Sequence, residues 1–310
     1  MKVVVSNNAF SKNSFLVEKL LSHFPDATIN TTGKRYKGQD LIDYFRDADA
    51  AIVGLEIISP ELLDNLPNLK IVAKYGVGLD NIDLEACKAR NVNVGWTPGV
   101  NRRSVAEMTL GFMLALLRNL YITSNQLKDS HWNKNGGIQL TGRTIGIIGA
   151  GNIGKELIDI LKPFGCRILI NDLQDLSQYA KDNDLEVVEK DFLYKASDVI
   201  TIHTPYTPKT KNILNMDVFK LMKPSAFIIN TARGGIVNEA DLKIALIEGI
   251  IAGAALDVYE TEPPIDIELL KLPNLICTPH TGGNSIEAVV SMGLSAIDHL
   301  LKHSNNKLDE

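Results

Sequence analysis

The sequence predicts an α/β protein built on parallel sheets, and three observations carry that expectation. Residues 1 to about 96 alternate short apolar runs with segments of helical period, the rhythm of strands joined by helical crossovers. An Ile-rich run from Thr144 to Ile148 then breaks into glycines spaced G-x-G-x-x-G and passes into a helical pattern. Polar residues also fall repeatedly just past the apolar runs, where open α/β sheets bind ligands.

In chain order, Val3-Val4-Val5 reads as a first strand, and Ser14 to Phe24 sets Phe15, Leu16, Leu20 and Leu21 at helical spacing. Leu41 to Phe45 suggests a helix and Ala50 to Val53 a strand. Pro60 to Leu66 suggests a helix opened by Ser59 as N-cap. Leu69 to Ala73 is a further strand, ending in the glycine-bearing loop from Lys74 to Asp83. Leu84 to Arg90 is a short helix and Val92 to Val94 a short strand. Trp96-Thr97-Pro98-Gly99 is a break, after which a single long helix is expected from about Arg102 to Asp129. Val105, Met108, Phe112, Leu116 and Leu120 share one face of it, and Leu110, Met113, Leu114 and Leu117 fill much of the rest. A helix apolar nearly all round is buried on more than one side, so it is expected to join two domains and to meet a partner subunit.

Beyond the glycines, Asp198 to Ile202 is a strand ending at His203-Thr204-Pro205. Ala226 to Asn230 ends at Thr231-Ala232-Arg233-Gly234-Gly235. Glu239 to Glu248 is helical, Gly253 to Val258 is a strand ending near Asp257, and Leu275 to Cys277 ends at Thr278-Pro279-His280. A last helix, Ser285 to Lys302, is expected to return to the first domain.

The 310 residues suit about two domains. A 45% hydrophobic and 22% charged composition is that of an ordinary globular protein. The net charge of −5 gives no general attraction to nucleic acid or to an anionic membrane, so neither is expected as a partner. The apolar run from Leu110 to Leu117 is far too short to span a bilayer, and the N-terminus turns polar at Ser6, as a strand would. Cys87, Cys166 and Cys277 are widely spaced, show no metal spacing, and fit thiols in a reducing cytoplasm.

The glycine turn carries the first functional expectation. Gly149 permits the turn, Gly151 lets the backbone approach a pyrophosphate, and Gly154 lets helix and strand pack closely. Asn152 and Ile153 then lie at the helix start, which faces the phosphates. Glycine is the default at any tight turn, so the next strand matters. Arg167 to Asn171 ends at Asp172, eighteen residues after Gly154, about where a carboxylate meets the ribose. Asp172 would accept from ribose hydroxyls and repel a 2′-phosphate, and Leu173-Gln174 offers no arginine to receive one. NAD is therefore expected rather than NADP.

A nicotinamide reaction also needs a proton donor or acceptor at the substrate oxygen and a group that balances developing charge. Arg233, between Ala232 and Gly234, can hold a carboxylate in a bidentate fork. Glu262 precedes Pro263-Pro264, which constrain its backbone. His280 has the side chain suited to proton exchange near neutrality, and a nearby carboxylate favours an imidazolium. Composition and spacing leave each of the three open between a catalytic and an ordinary loop role, and His203 reads as structural or cofactor-adjacent.

Four segments resemble the D-isomer-specific 2-hydroxyacid dehydrogenase family. They are Lys74-Tyr75-Gly76-Val77-Gly78-Leu79-Asp80-Asn81-Ile82-Asp83, Gly149-Ala150-Gly151-Asn152-Ile153-Gly154, Asn230-Thr231-Ala232-Arg233-Gly234-Gly235-Ile236-Val237, and Thr278-Pro279-His280-Thr281-Gly282-Gly283. The run from Gly99 to Glu107 and the run from Asp257 to Pro263 extend the match over nearly the full length. The resemblance implies two Rossmann-like, doubly wound parallel-sheet domains with an interdomain cleft. The substrate-binding domain would be residues 1–98 plus 284–310, and the NAD-binding domain 99–283, including a long dimerisation helix. It implies a homodimer, and the cysteine usage noted above places it in the cytoplasm. His280 would be the acid or base, Glu262 would hold its imidazole, and Arg233 would orient the substrate carboxylate. Lys74, the Val77 and Gly78 amides and Asn101 would join Arg233 on the substrate side. His203, Thr204, Pro205, Thr210, Thr231, Ala232, Asp257, His280 and Gly282 would join the glycine turn and Asp172 on the cofactor side.

The implied reaction interconverts a D-2-hydroxy acid and its 2-keto acid with NAD. The loops most resemble the phosphoglycerate dehydrogenase branch, with Lys74, and Arg102 or Arg103, as charges toward a phosphate. Gly54-Leu55-Glu56, however, occupies a loop where better-known members of that branch place an arginine, and Glu56 is unwelcome to phosphate. Glyoxylate or hydroxypyruvate is the alternative substrate. Because the sequence ends at Glu310, the regulatory C-terminal domain of longer relatives, and serine feedback through it, is not expected. The same plan also serves NAD-binding corepressors and enzymes that oxidise formate or phosphite.

Overall fold

The computed structural model describes residues 1–306. The chain forms two compact units, Met1–Asn101 with Asn284–Glu310, and Arg102–Gly283. The first boundary thus falls three residues beyond position 98, because Val100 still packs into the core of the first unit. Of the expected segment 284–310, residues 307–310 lie outside the described residues.

The first unit is a five-stranded sheet of β1 (Val3–Val5), β2 (Thr28–Ile29), β3 (Ala50–Val53), β4 (Ile71–Lys74) and β5 (Asn93–Gly95). The strands lie in the order β2-β1-β3-β4-β5, and every pairing is parallel. Every residue of β3 and β4 is buried, as a parallel sheet covered on both faces requires. Ser59 caps the helix Pro60–Asp64 by accepting the Leu62 amide, with Pro60 in the first turn. The helix Ile286–Asn306 packs on β4 and on the helix Ser14–His23, so the last helix does return to the first unit.

The second unit holds β6 (Thr144–Ile148), β7 (Arg167–Asn171), β8 (Glu186–Val187), β9 (Val199–Ile202), β10 (Phe227–Asn230), β11 (Gly253–Leu256) and β12 (Leu275–Cys277). Their order is β12-β11-β10-β9-β6-β7-β8, again parallel throughout. From β6 the sheet is extended in one direction by β7 and β8 and in the other by β9 to β12. The loops after β6 and β9 therefore lie at a topological switch point, where such sheets bind ligands.

The single helix expected from Arg102 to Asp129 is instead two helices, Arg102–Leu117 and Leu120–Lys128, bent by 63°. The break sits at Asn119, whose φ of 52° is left-handed, a conformation that asparagine tolerates better than most residues. Burial explains the bend. The first helix buries Val105, Ala106, Thr109, Phe112, Met113, Leu116 and Leu117, whereas the second buries no residue. Among the described residues no single helix is long and apolar enough to cross a membrane.

Candidate active site

The glycine turn leaves β6 at Gly149, whose φ of 91° strains any residue with a side chain. A Cβ there would lie 2.7 Å from Thr204 Cγ2 and 2.8 Å from the His203 carbonyl carbon, so the loops after β6 and β9 touch. A Cβ on Gly154 would lie 2.4 Å from the Gly149 oxygen, which accounts for the third glycine, while Gly151 faces open space. Gly151 is the N-cap of the helix Asn152–Leu161 and offers no side-chain acceptor to its first amides. Asp172, at the end of β7, accepts from the Ala150 amide at 2.8 Å through Oδ2 and from the Gln174 amide at 2.9 Å through Oδ1. A carboxylate has about four lone-pair sites, so acceptor capacity remains for a ribose diol.

The loop after β9, which touches this turn, adds two further polar residues. Burial pushes the His203 imidazole down to about 3, so it stays neutral. Its Nε2 lies 3.0 Å from Thr201 Oγ1, while its Nδ1 and the Thr204 hydroxyl are buried without a hydrogen-bond partner. Orphaned buried donors and acceptors are rare and call for an explanation. Amides at a helix start, an open glycine, spare carboxylate lone pairs and orphaned polar atoms together fit a bound dinucleotide, and these residues would hold it. Thr210, expected on the cofactor side, closes its own loop by donating to the Pro205 carbonyl at 2.8 Å. Thr231 is buried with its hydroxyl 3.1 Å from that of Thr109.

The expected catalytic residues stand at neighbouring strand ends of this sheet. Arg233 follows β10 in a turn that Asn230 braces: Asn230 Oδ1 accepts the Ala232 amide at 3.0 Å, and its Nδ2 donates to the Arg233 carbonyl at 2.9 Å. Arg233 Nη1 donates to the Ala232 carbonyl at 2.7 Å. His280 follows β12, and its Nδ1 lies 2.8 Å from Glu262 Oε2, with both side chains partly exposed. Glu262 Oε1 accepts the Tyr259 amide at 3.2 Å.

His280 has a φ of 53°, left-handed backbone that costs a residue with a side chain about 1–3 kcal/mol. Asp257 over-determines it. This carboxylate, 1% exposed, accepts from Thr278 Oγ1 at 2.6 Å and from the amides of Thr281 and Gly282 at 2.8 Å. Ser104 adds a hydrogen bond of 2.6 Å to the Gly282 carbonyl. Asp257 is thus first of all the anchor of the histidine loop. Sequence reasoning assigned no role to Asn230, Ser104 or Glu239, although the first two lie in segments that carry the resemblance and the third opens an expected helix.

The remaining substrate-side expectations divide. The Val77 carbonyl accepts from Trp96 Nε1 at 2.7 Å, which fixes that loop, and Asn101 Oδ1 is buried with no partner. Lys74, expected on the substrate side, lies in the interior of the first unit. It is 5% exposed, and its ammonium donates to the Gly54 carbonyl at 2.5 Å and to Asn81 Oδ1 at 2.6 Å, because a buried ammonium must be satisfied internally. Arg102 and Arg103, expected as charges toward a phosphate, both pair with Glu156, at 2.9 and 3.1 Å. Those arginines hold the Glu156 carboxyl below its ordinary range. Glu56 turns back to accept the Gly54 amide at 2.6 Å, leaving Leu55 and Ile57 exposed.

A nucleotide turn at a switch point, beside an arginine and a carboxylate-held histidine on one sheet edge, defines a nicotinamide-dependent oxidoreductase of two α/β units. The family model described as D-isomer specific 2-hydroxyacid dehydrogenase, NAD binding domain, matches residues 110–282. The D-3-phosphoglycerate dehydrogenase of Methanocaldococcus jannaschii is 38% identical over 277 residues, 88% of this chain and 53% of that protein. The hydroxypyruvate reductase of Thermotoga maritima is 35% identical over 280 residues, 88% of this chain and 90% of that protein. This chain therefore spans about half the length of the first relative and most of the second. The structure of D-lactate dehydrogenase from Aquifex aeolicus, complexed with NAD and lactic acid, superposes with a TM-score of 0.85 at 26% identity, covering 100% of this chain and 97% of that one. The chain belongs to the D-isomer-specific 2-hydroxyacid dehydrogenase family of NAD-dependent oxidoreductases.

Proposed function

We propose that the protein reduces a small, unphosphorylated 2-keto acid to the D-2-hydroxy acid, with glyoxylate and hydroxypyruvate as the leading candidates. NADH, when bound, supplies the hydride to C2. Glu262 accepts from Nδ1 of His280, which assigns Nε2 to the substrate oxygen, where it delivers the proton as the carbonyl becomes a hydroxyl. Arg233 orients the carboxylate and polarises the C2 oxygen, with the Val77 and Gly78 amides and Asn101 as further donors. The observation that carries the acid–base assignment is the 2.8 Å contact of His280 with Glu262 at the strand ends that also bear Arg233 and the glycine turn.

The basic residues expected toward a phosphate favour an unphosphorylated substrate instead. Lys74 is committed to Gly54 and Asn81, Arg102 and Arg103 are paired with Glu156, and Leu55 and Ile57 stand in the loop after β3. A phosphate would have to compete with these partners for its charge-assisted donors. The helix Leu120–Lys128, with Leu120, Tyr121, Leu127 and the nearby Trp132 exposed, is the face we assign to a second copy in a homodimer. The free thiols of Cys87, Cys166 and Cys277 suit the cytoplasm.

Loss of NADH absorbance across glyoxylate, hydroxypyruvate, phosphohydroxypyruvate and pyruvate tests the reading, with formate and phosphite assayed alongside in the presence of NAD. Turnover greatest with glyoxylate or hydroxypyruvate supports it. A clear preference for phosphohydroxypyruvate, or tight NAD binding with no turnover of any acid, overturns it.

A further inference from the structure

Glu239 is the first residue of the helix Glu239–Ile247, whose N-cap Asn238 accepts the Asp241 amide at 3.0 Å. An acid in a first turn ordinarily points to water and is favoured by the helix dipole. This one is half-buried, and its Oε1 accepts the Glu260 amide at 2.5 Å, across from the turn that carries Glu262. Burial, and then the charges of Glu260, Asp266 and Glu262, push its carboxyl up from the ordinary range. Lys243, one turn along, pairs with Asp266 at 3.1 Å and Glu268 at 2.5 Å. Three carboxylates thus crowd a fourth, an arrangement unfavourable by itself.

Gly234 marks the same junction from the other side. A Cβ on it would lie 1.8 Å from the Tyr259 oxygen and 2.6 Å from the Glu260 nitrogen, so the segment after Arg233 lies against the same peptide that Glu239 holds. The segment from Arg233 to Glu239 therefore grips the Tyr259–Glu260 peptide at two points. From there the Tyr259 amide reaches Glu262 Oε1 at 3.2 Å, and Glu262 Oε2 reaches His280.

We infer that Glu239 is a positioning residue: by accepting the Glu260 amide it pins the turn that aims the Glu262 carboxylate at His280, and it sets that turn in register with Arg233. The inference rests on the acid–base roles proposed above. Glu239 acts on the site through the Glu260 amide that it accepts, so its influence lies in kcat through geometry.

The test compares Glu239→Gln, which keeps an acceptor oxygen for the Glu260 amide, with Glu239→Ala, which removes it, in the full chain with NADH and the best keto acid of the panel. The alanine variant is expected to lose about tenfold in kcat, a modest share of what misplacing a catalytic group can cost. Its KM and its NADH affinity should stay within about twofold of the parent on the same reasoning, and the glutamine variant should keep most of kcat. The imidazole 15N resonances of His280, assigned with His280→Asn among the six histidines, should shift with alanine and hold with glutamine. If the alanine variant does not fold, Glu239→Asp carries the comparison, because its carboxylate is one methylene too short to reach. Parental kcat and an unmoved His280 resonance in the alanine or aspartate variant would overturn the inference, as would equal losses for glutamine and alanine. Wild-type turnover by His280→Ala would instead remove the acid–base reading beneath it.

Discussion

His280 stands with its Nδ1 2.8 Å from Glu262 Oε2 while its backbone occupies the left-handed region at φ 53°. A strained backbone kept in place by Asp257 and a ring kept in place by Glu262 leave one orientation for the imidazole. His280→Ala should therefore lower kcat by about 10²–10⁴, the share assigned to general acid–base catalysis. NADH affinity, read by fluorescence titration, should be retained. Near-normal turnover by that variant would end its assignment as the proton donor.

Gly234→Ala should damage the site through packing alone. The added methyl would meet the Tyr259 carbonyl and the Glu260 amide, which are backbone and cannot swing aside. Overpacking of this kind costs about 1–3 kcal/mol, read as a lower urea midpoint, and kcat should fall with it because the Glu262 turn moves. An alanine variant as stable and as active as the parent would show that the junction relaxes without consequence.

How far the sequence revealed this arrangement depends on whether a feature is local. Strand, glycine turn and helix at 144–161 are set by neighbours in the chain, and short apolar runs placed β1, β3, β4 and β6 without help. Arg233, Glu262 and His280 were legible as candidates because each ends an apolar run or precedes prolines. Their junction was not, because the contact of Gly234 with Tyr259 and the bond from Glu239 to Glu260 join residues more than twenty positions apart. The break at Asn119 was hidden for a related reason: apolar periodicity continues through Leu120, while burial stops at Leu117. The interior partners of Lys74 were hidden in the same way, because the Gly54 carbonyl that its ammonium meets lies twenty positions away.

Cofactor choice should follow Asp172. Its carboxylate lies beside the turn it helps to build, and a unit charge pair at 4 Å is worth about 4 kcal/mol at an effective dielectric of 20. After screening, a preference of kcat/KM for NADH over NADPH of about 10² is expected. Asp172→Asn keeps an acceptor for the Ala150 amide and removes the charge, so the preference should narrow by about tenfold. Equal kcat/KM for the two cofactors in the parent protein would contradict the role given to Asp172.

His203 should make the folded protein sensitive to acid. Burial holds the imidazole neutral down to about pH 3, whereas the unfolded residue titrates near 6.5. Between those values the unfolded chain carries one proton more than the folded one, so stability is lost as pH falls through the window and is fully present above it. A full proton of difference corresponds to about 1.4 kcal/mol for each pH unit. His203→Asn cannot titrate there. Urea unfolding of parent and variant between pH 4 and 6 should give a shallower dependence for the variant by about that amount. The same slope in both would mean that His203 takes up its proton in the folded state, where both ring nitrogens would then be donors.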